Sequence, residues 1–100
     1  GGLTVKTCVV VSRHNDYSTE TPVEIFSNEE RYSTWLAEQD EPERYTAEVM
    51  DVYDALNIVK SNMLFGLKEV SRGHCTEEEL VTSENWRQHE RWSKWLERRI

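Results

Sequence analysis

Thr4-Val5-Lys6-Thr7-Cys8-Val9-Val10-Val11-Ser12 contains the run on which the fold turns: Cys8 to Val11 are four small or β-branched apolar residues in succession. Gly1-Gly2 stands before the segment and the polar stretch Arg13 to Thr21 follows it. A strand with one wet face alternates apolar and polar residues, so a short unbroken run predicts a strand covered on both faces. It is expected as the middle strand of a small sheet.

Downstream, Asn15-Asp16 and Ser18-Thr19 are turn formers, and Pro22-Val23-Glu24-Ile25-Phe26 reads as a second strand, paired antiparallel with the first. Pro22 suits the first position of that strand, where its missing N–H does no harm. Val23 and Ile25 share one face, Glu24 and Phe26 the other. Ser27 is placed to cap a helix, with Glu30 completing a capping box, and Tyr32, Trp35 and Leu36 fall at the spacing of a buried stripe. The expected core is therefore Val9, Val11, Ile25, Phe26, Trp35 and Leu36. Pro42 ends that helix by disfavouring helical backbone at Glu41.

From Tyr45 to Leu56 two periods compete. Val49, Val52, Tyr53 and Leu56 fit a helix, whereas Tyr45, Ala47, Val49 and Tyr53 share one face of a strand. A third strand over Tyr45 to Tyr53 is favoured, because a hairpin under a single helix is marginal and a third strand completes the sheet. Taken together, Val9-Val10-Val11, the junction Ile25-Phe26-Ser27-Asn28-Glu29-Glu30, then Trp35-Leu36-Ala37-Glu38 and Tyr45-Thr46-Ala47-Glu48-Val49, the first half resembles small, mostly uncharacterised bacterial and phage ββαβ proteins. The resemblance implies that fold and carries no function. Small size, acidity and the absence of catalytic motifs are also similar to phage-encoded inhibitors such as anti-CRISPR proteins.

In the second half, Leu56, Val59, Met63, Leu67 and Val70 predict a helix over Ala55 to Arg72, with an irregularity around Ser61-Asn62 and Gly73 as its stop. The alternative is a fourth strand over Met63 to Val70, and Gly66 weakens either element. Thr76 and Glu79 form a second capping box, leading through a turn at Leu80-Val81 to Ser83, the cap of a helix over Glu84 to Arg99. On that helix Trp86, His89, Trp92, Leu96 and Ile100 gather on one side and Arg87, Arg91, Lys94 and Arg98 on the other. Trp95 lies outside the apolar stripe, flanked by Arg91 and Arg98. His89 is expected as a packed, hydrogen-bonded residue.

The fold class expected is α+β: a small antiparallel sheet of a hairpin plus a third strand, covered by a helix, with a helical C-terminal half. One domain is expected from 100 residues, with a ββαβ core over 3–54 and a helical part over 55–100. Gly1-Gly2 resembles the scar of a cleaved tag and carries no functional expectation. No apolar run approaches the roughly 18 residues of a membrane span. Two cysteines, Cys8 and Cys75, give no disulfide framework, which fits a reducing, cytoplasmic setting, that of the host cell if the protein is phage-encoded. Cys8 reads as a small buried hydrophobe. His74 and Cys75 are adjacent, unlike the spaced ligands of zinc sites, so no metal and no cofactor is expected.

The net charge of −7 is unevenly spread. Through Thr82 acids outnumber bases heavily, whereas from Ser83 onward Arg87, Arg91, Lys94, Arg98 and Arg99 outnumber Glu84, Glu90 and Glu97. With no phosphate loop, nucleophile elbow or zinc motif, a non-enzymatic binding protein is expected. Its partner surface would be the acidic belt Glu38, Asp40, Glu41, Glu43, Glu48, Asp51 and Asp54, docking on a basic host protein or nucleoprotein complex as a mimic of nucleic acid. The alternatives are nucleic-acid contact through Arg91, Lys94, Trp95 and Arg98, a homodimer built on the same helix, and a small nuclease with Asp51, Asp54 and Glu69 about a divalent ion near Lys60 or Lys68. An acidic body disfavours direct nucleic-acid binding.

Overall fold

Cys8 to Val11 do form the centre of a sheet, and the four side chains are between 0% and 5% exposed. The computed structural model describes residues 6–14 and 20–100. The expected Gly1-Gly2 scar, Thr4-Val5 of the first strand and the turn formers over 15–19 lie outside the described residues. The fold is α+β, and the chain divides into two compact units, the first ending at Asp51 and the second beginning at Val52.

In the first unit, strand β1 (Thr7–His14) lies between β2 (Glu20–Phe26) and β3 (Tyr45–Asp51), antiparallel to both. Val9 stands opposite Phe26 and Val49, and Val10 opposite Ile25 and Glu48. Residues paired across a ladder share a face. One face therefore carries Val9, Val11, Phe26 and Tyr45, and the other Cys8, Val10, Ile25 and Met50. Burial of residues from both faces is what the unbroken run predicted.

Between Val11 and Ser12 the β1–β2 register slips, so that Glu24 and Pro22 face consecutive residues of β1. Pro22 is thus not the first residue of its strand. It sits inside β2 at a bulge on a sheet edge, the other place where a residue without an N–H is tolerated.

Helix α1 (Glu29–Ala37) lies over the Val9–Val11 face. Its cap is Asn28, not Ser27: the Asn28 Oδ1 accepts from the Arg31 amide at 2.9 Å. The residue three past the cap is then Arg31, so the expected capping box with Glu30 is not formed. Asn and Ser cap about equally well. The Trp35 ring sits 5.7 Å from Phe26 on β2 and 4.9 Å, edge-on, from Tyr45 on β3, bridging the two outer strands. Phe26, Trp35 and Leu36 are half-buried, not core residues as expected. A helix of nine residues shields part of the face and leaves its aromatic layer at the rim.

The second unit is helical: α2 (Val52–Ser71), α3 (Glu77–Thr82) and α4 (Glu84–Glu97). Strand β3 ends at Asp51 and α2 begins at once, so Val52 and Tyr53 are helical instead of extended. Val52, Ala55, Leu56 and Val59 are buried, a helical stripe at spacings of three and four. Helix α2 is continuous through Ser61-Asn62, and neither the irregularity nor the alternative strand exists.

Gly73 stops α2 at φ 79°, with the His74 amide donating to the Glu69 carbonyl and the Gly73 amide to that of Val70, both at 3.0 Å. That pairing is a Schellman motif, which needs a left-handed residue at the glycine. The Thr76–Glu79 box forms as expected, but it opens a short helix, not a turn. Leu80 of α3 reaches Gly66, where an added Cβ would meet the Leu80 Cδ1 at 2.9 Å. Gly66 is tolerated in α2 because it admits this close approach.

Ser83 caps α4 through the Trp86 amide. His89, Trp92 and Leu96 are buried along it, while Trp86 is half-buried and Ile100, expected on the stripe, is exposed. His89 is the packed, hydrogen-bonded residue expected: its Nδ1 lies 2.7 Å from the Asn85 carbonyl and its Nε2 3.3 Å from the Asn62 Nδ2. With Nδ1–H donating and Nε2 accepting, the neutral ring is satisfied at both nitrogens and ties α4 to α2.

Candidate functional site

The acidic residues expected to form a belt fall mainly on one segment of the first unit. Glu38 is the C-cap of α1, Asp40 and Glu41 follow in the loop, and Glu43 sits in the 3₁₀ turn Pro42–Arg44. All four are exposed. The segment is rigid for a loop, because Pro42 starts the turn and the Arg44 amide donates to the Glu41 carbonyl. Arg44 also pairs through Nε with the Glu41 Oε2 at 2.9 Å. It is the only base between Glu38 and Asp51, so most of the carboxylate charge there has no cation on its own segment.

Glu48 stands at the midpoint of β3, exposed. Asp51 closes the strand, half-buried, and Asp54 is an exposed residue in the first turn of α2, in the second unit. The structure therefore gathers Glu38, Asp40, Glu41 and Glu43 on one loop, sets Glu48 and Asp51 on the strand that follows, and places Asp54 on another element.

Acidity alone did not reveal what lies beside the loop. Strand β3 is an edge: it pairs with β1 on one side, and among the described residues no backbone pairs with its other side. Thr46, Ala47, Glu48 and Val49 are all exposed, Val49 by 50%. The row of outward amides and carbonyls on such an edge is a template for another chain.

On α4, Arg91, Lys94 and Arg98 are exposed as expected. Trp95, however, is half-buried, and its partner is Arg99, not Arg91 or Arg98. The Arg99 guanidinium lies 3.4 Å from the ring centroid and also donates to the Trp95 carbonyl. One face of the ring is thus taken by a cation–π contact, which weakens the expectation that it stacks on a base.

The second unit also exposes apolar surface that sequence periodicity did not assign. Leu67, expected on the buried stripe, is 45% exposed, beside Leu64 and Phe65. Met63, Leu64 and Leu67 of α2 line a shallow groove with Trp86 of α4, rimmed by Lys60 and Ser93. Leu64-Phe65 break the i+3/i+4 rhythm of α2, and that was the available signal.

The divalent-ion cluster of the nuclease alternative is not formed. Asp54 and Glu69 lie fifteen residues apart on one helix, about 22 Å by its rise, and among the described residues no three His, Cys, Asp or Glu side chains are grouped to hold an ion. Glu69 pairs instead with His74, whose Nδ1 is 2.5 Å from its Oε2, and with Arg72 at 3.5 Å. The hydrogen bond from His74 is the main reason that the Glu69 carboxyl is held below its ordinary value. Among the described residues no helix is long and apolar enough to cross a membrane. Comparison with protein families, curated proteins and solved structures finds no match to this chain.

Proposed function

We propose that this chain is a small acidic binding protein without catalytic activity, which docks its loop and strand carboxylates on a basic groove of a protein that handles nucleic acid. The observation that carries this reading is the exposed carboxylate row Glu38, Asp40, Glu41, Glu43 and Glu48, set on a capped helix end, a 3₁₀ turn and a strand, with Arg44 as its one local base. Carboxylates fixed at intervals on a rigid surface present charge as a phosphate backbone does, and they steer a basic partner into register. A phage-encoded inhibitor acting in the host cytoplasm is the biological setting we infer, consistent with the small size and the acidity.

The test changes Asp40, Glu41 and Glu43 together to Asn, Gln and Gln, with Arg91, Lys94 and Arg98 changed to Gln as the control. The protein is used as bait in host lysate, and each captured complex is challenged with duplex DNA. The acidic variant is expected to lose capture and the basic variant to keep it, and DNA should displace the partner from the wild type. Undiminished capture by the acidic variant overturns the reading, and loss in the basic variant alone moves the site to α4.

A second reading is favoured by the exposed Leu64 and Leu67 beside Trp86, with Phe65 also exposed on the same helix: self-association through the helical unit. Sedimentation of the wild type against Leu64→Glu separates monomer from dimer.

A further inference from the structure

The open edge of β3 and the charge beside it point to a more specific occupant. We propose that β3 accepts an extended segment of the partner as a fourth strand, and that this segment alternates apolar residues with Lys or Arg. The inference rests on the acidic-docking reading and deepens it by naming the form in which the partner arrives.

The argument begins with the backbone. β3 is seven residues long, about 23 Å at the rise of a strand, and it is paired on one side only among the described residues. In an antiparallel ladder every second residue turns its N–H and C=O outward. Strand addition satisfies those groups whatever the sequence of the incoming chain, and the side chains on each face then select which chain is accepted.

The two faces of β3 differ. Ala47 and Val49 share the face of Val9 and Val11, whereas Thr46 and Glu48 share the face of Val10. All four are exposed. A strand laid beside β3 places its residues directly opposite these, with like faces together. Apolar residues then meet Ala47 and Val49, and a Lys or Arg meets Glu48. The next cation along the strand reaches the end from which Glu43 and Glu41 approach, because the 3₁₀ turn Pro42–Arg44 runs directly into Tyr45.

A second copy of this chain is the obvious competitor for the edge, and the charges oppose it. Glu48 is the central residue of β3, so a symmetric antiparallel pair would set Glu48 against its own copy, a destabilising like-charge pair. The overall charge of −7 adds to that repulsion. A charged residue at the middle of an edge is a recognised device against self-pairing, and here the same carboxylate invites a basic chain.

The probe is a synthetic eight-residue peptide alternating Val and Lys, compared with its Val and Glu counterpart and with a Val and Lys peptide N-methylated at alternate residues, both pairing edges being tried. Binding is followed by titration calorimetry, and the β3 amides by NMR hydrogen exchange on the full chain. The Val and Lys peptide is expected to bind, to slow exchange at every second amide between Thr46 and Met50, and to weaken about tenfold or more on N-methylation of the correct edge, as the loss of one or more ladder hydrogen bonds requires. The Val and Glu peptide should not bind, and Glu48→Lys should reverse the preference.

Binding that ignores N-methylation and leaves exchange unchanged overturns strand addition while leaving acidic docking standing. Strand-like protection equally strong with the Val and Glu peptide overturns the charge selection and the acidic-docking reading with it. No binding by the Val and Lys peptide overturns the inference, and so does a β3 already protected in a dimer without peptide; in either case the capture experiment still decides the acidic-docking reading separately.

Discussion

Replacing Trp35 by Ala tests the part of the fold that holds the candidate surface in place, because Trp35 spans from Phe26 on one outer strand to Tyr45 at the start of the other. For a fully buried Trp the loss would be about 3–5 kcal/mol. Trp35 is half-buried, which lowers the expectation to about 2–3 kcal/mol on the same scale. Its ring contacts account for about 0.5–1.5 kcal/mol of this beyond area alone. For a chain of this size each kcal/mol moves the midpoint by about 4–8 °C, so the variant should melt about 8–24 °C below the parent.

Far-UV circular dichroism is the suitable probe, since four Trp residues blur any fluorescence assignment. A double-mutant cycle of Trp35→Leu and Tyr45→Leu isolates the edge-to-face pair, with an expected coupling of about 1 kcal/mol. A melting point within a degree or two of the parent, or a coupling near zero, refutes the placement of α1 across the sheet.

In the second unit, Leu96 is fully buried, so Leu96→Ala should cost about 3–5 kcal/mol in urea denaturation; a cost below 1 kcal/mol would contradict the packing of α4. Gly73→Ala forces a side chain to φ 79° and should destabilise by about 1–2 kcal/mol; a stabilised variant would disprove the Schellman ending. The Glu69 carboxyl is held low by the hydrogen bond from His74 and, more weakly, by the charges of His74 and Arg72. A depressed folded value means that its contribution to stability is full above the ordinary carboxylate range and is lost as pH falls through the folded value. Carboxyl NMR titration should show Glu69 titrating below its ordinary value and moving up in His74→Asn; an unmoved midpoint would refute the assignment.

How much of this was legible in the sequence depends on whether the cause is local. Thr76 with Glu79, Ser83 before α4 and Gly73 after α2 are contained within a few residues, and each was read correctly. Asn28 against Ser27 is a tie between equal caps, which residue type alone does not break. The Arg99 contact with Trp95 is likewise a choice among Arg91, Arg98 and Arg99, all one helical turn away, and spacing alone does not rank them. Tyr45 to Leu56 read both ways because both readings hold in succession. Tyr45 to Asp51 obey a period of two and Val52 to Val59 a helical period, with no residue between them.

The edge position of β3 depends on strand order and not on any one strand, and it follows from the expectation that Cys8 to Val11 lie in the middle strand. Read alone, Tyr45-Thr46-Ala47-Glu48-Val49-Met50-Asp51 looks like a half-buried strand with Ala47 and Val49 inward. What it leaves out is a comparison between strands. Only Cys8 to Val11 lack a polar residue on either face, so only that run is suited to be covered on both faces, as a central strand is. β2 and β3 must then take the two edges. Of these, β2 carries Pro22 and a bulge, which blunt an edge against further pairing. β3 has no Pro within it and no register shift against β1, and its one charged residue between Tyr45 and Asp51 is Glu48. The same accounting that puts the apolar run in the middle therefore leaves β3 as the edge with neither Pro nor bulge, and Glu48 is the charge that the proposed fourth strand would meet there.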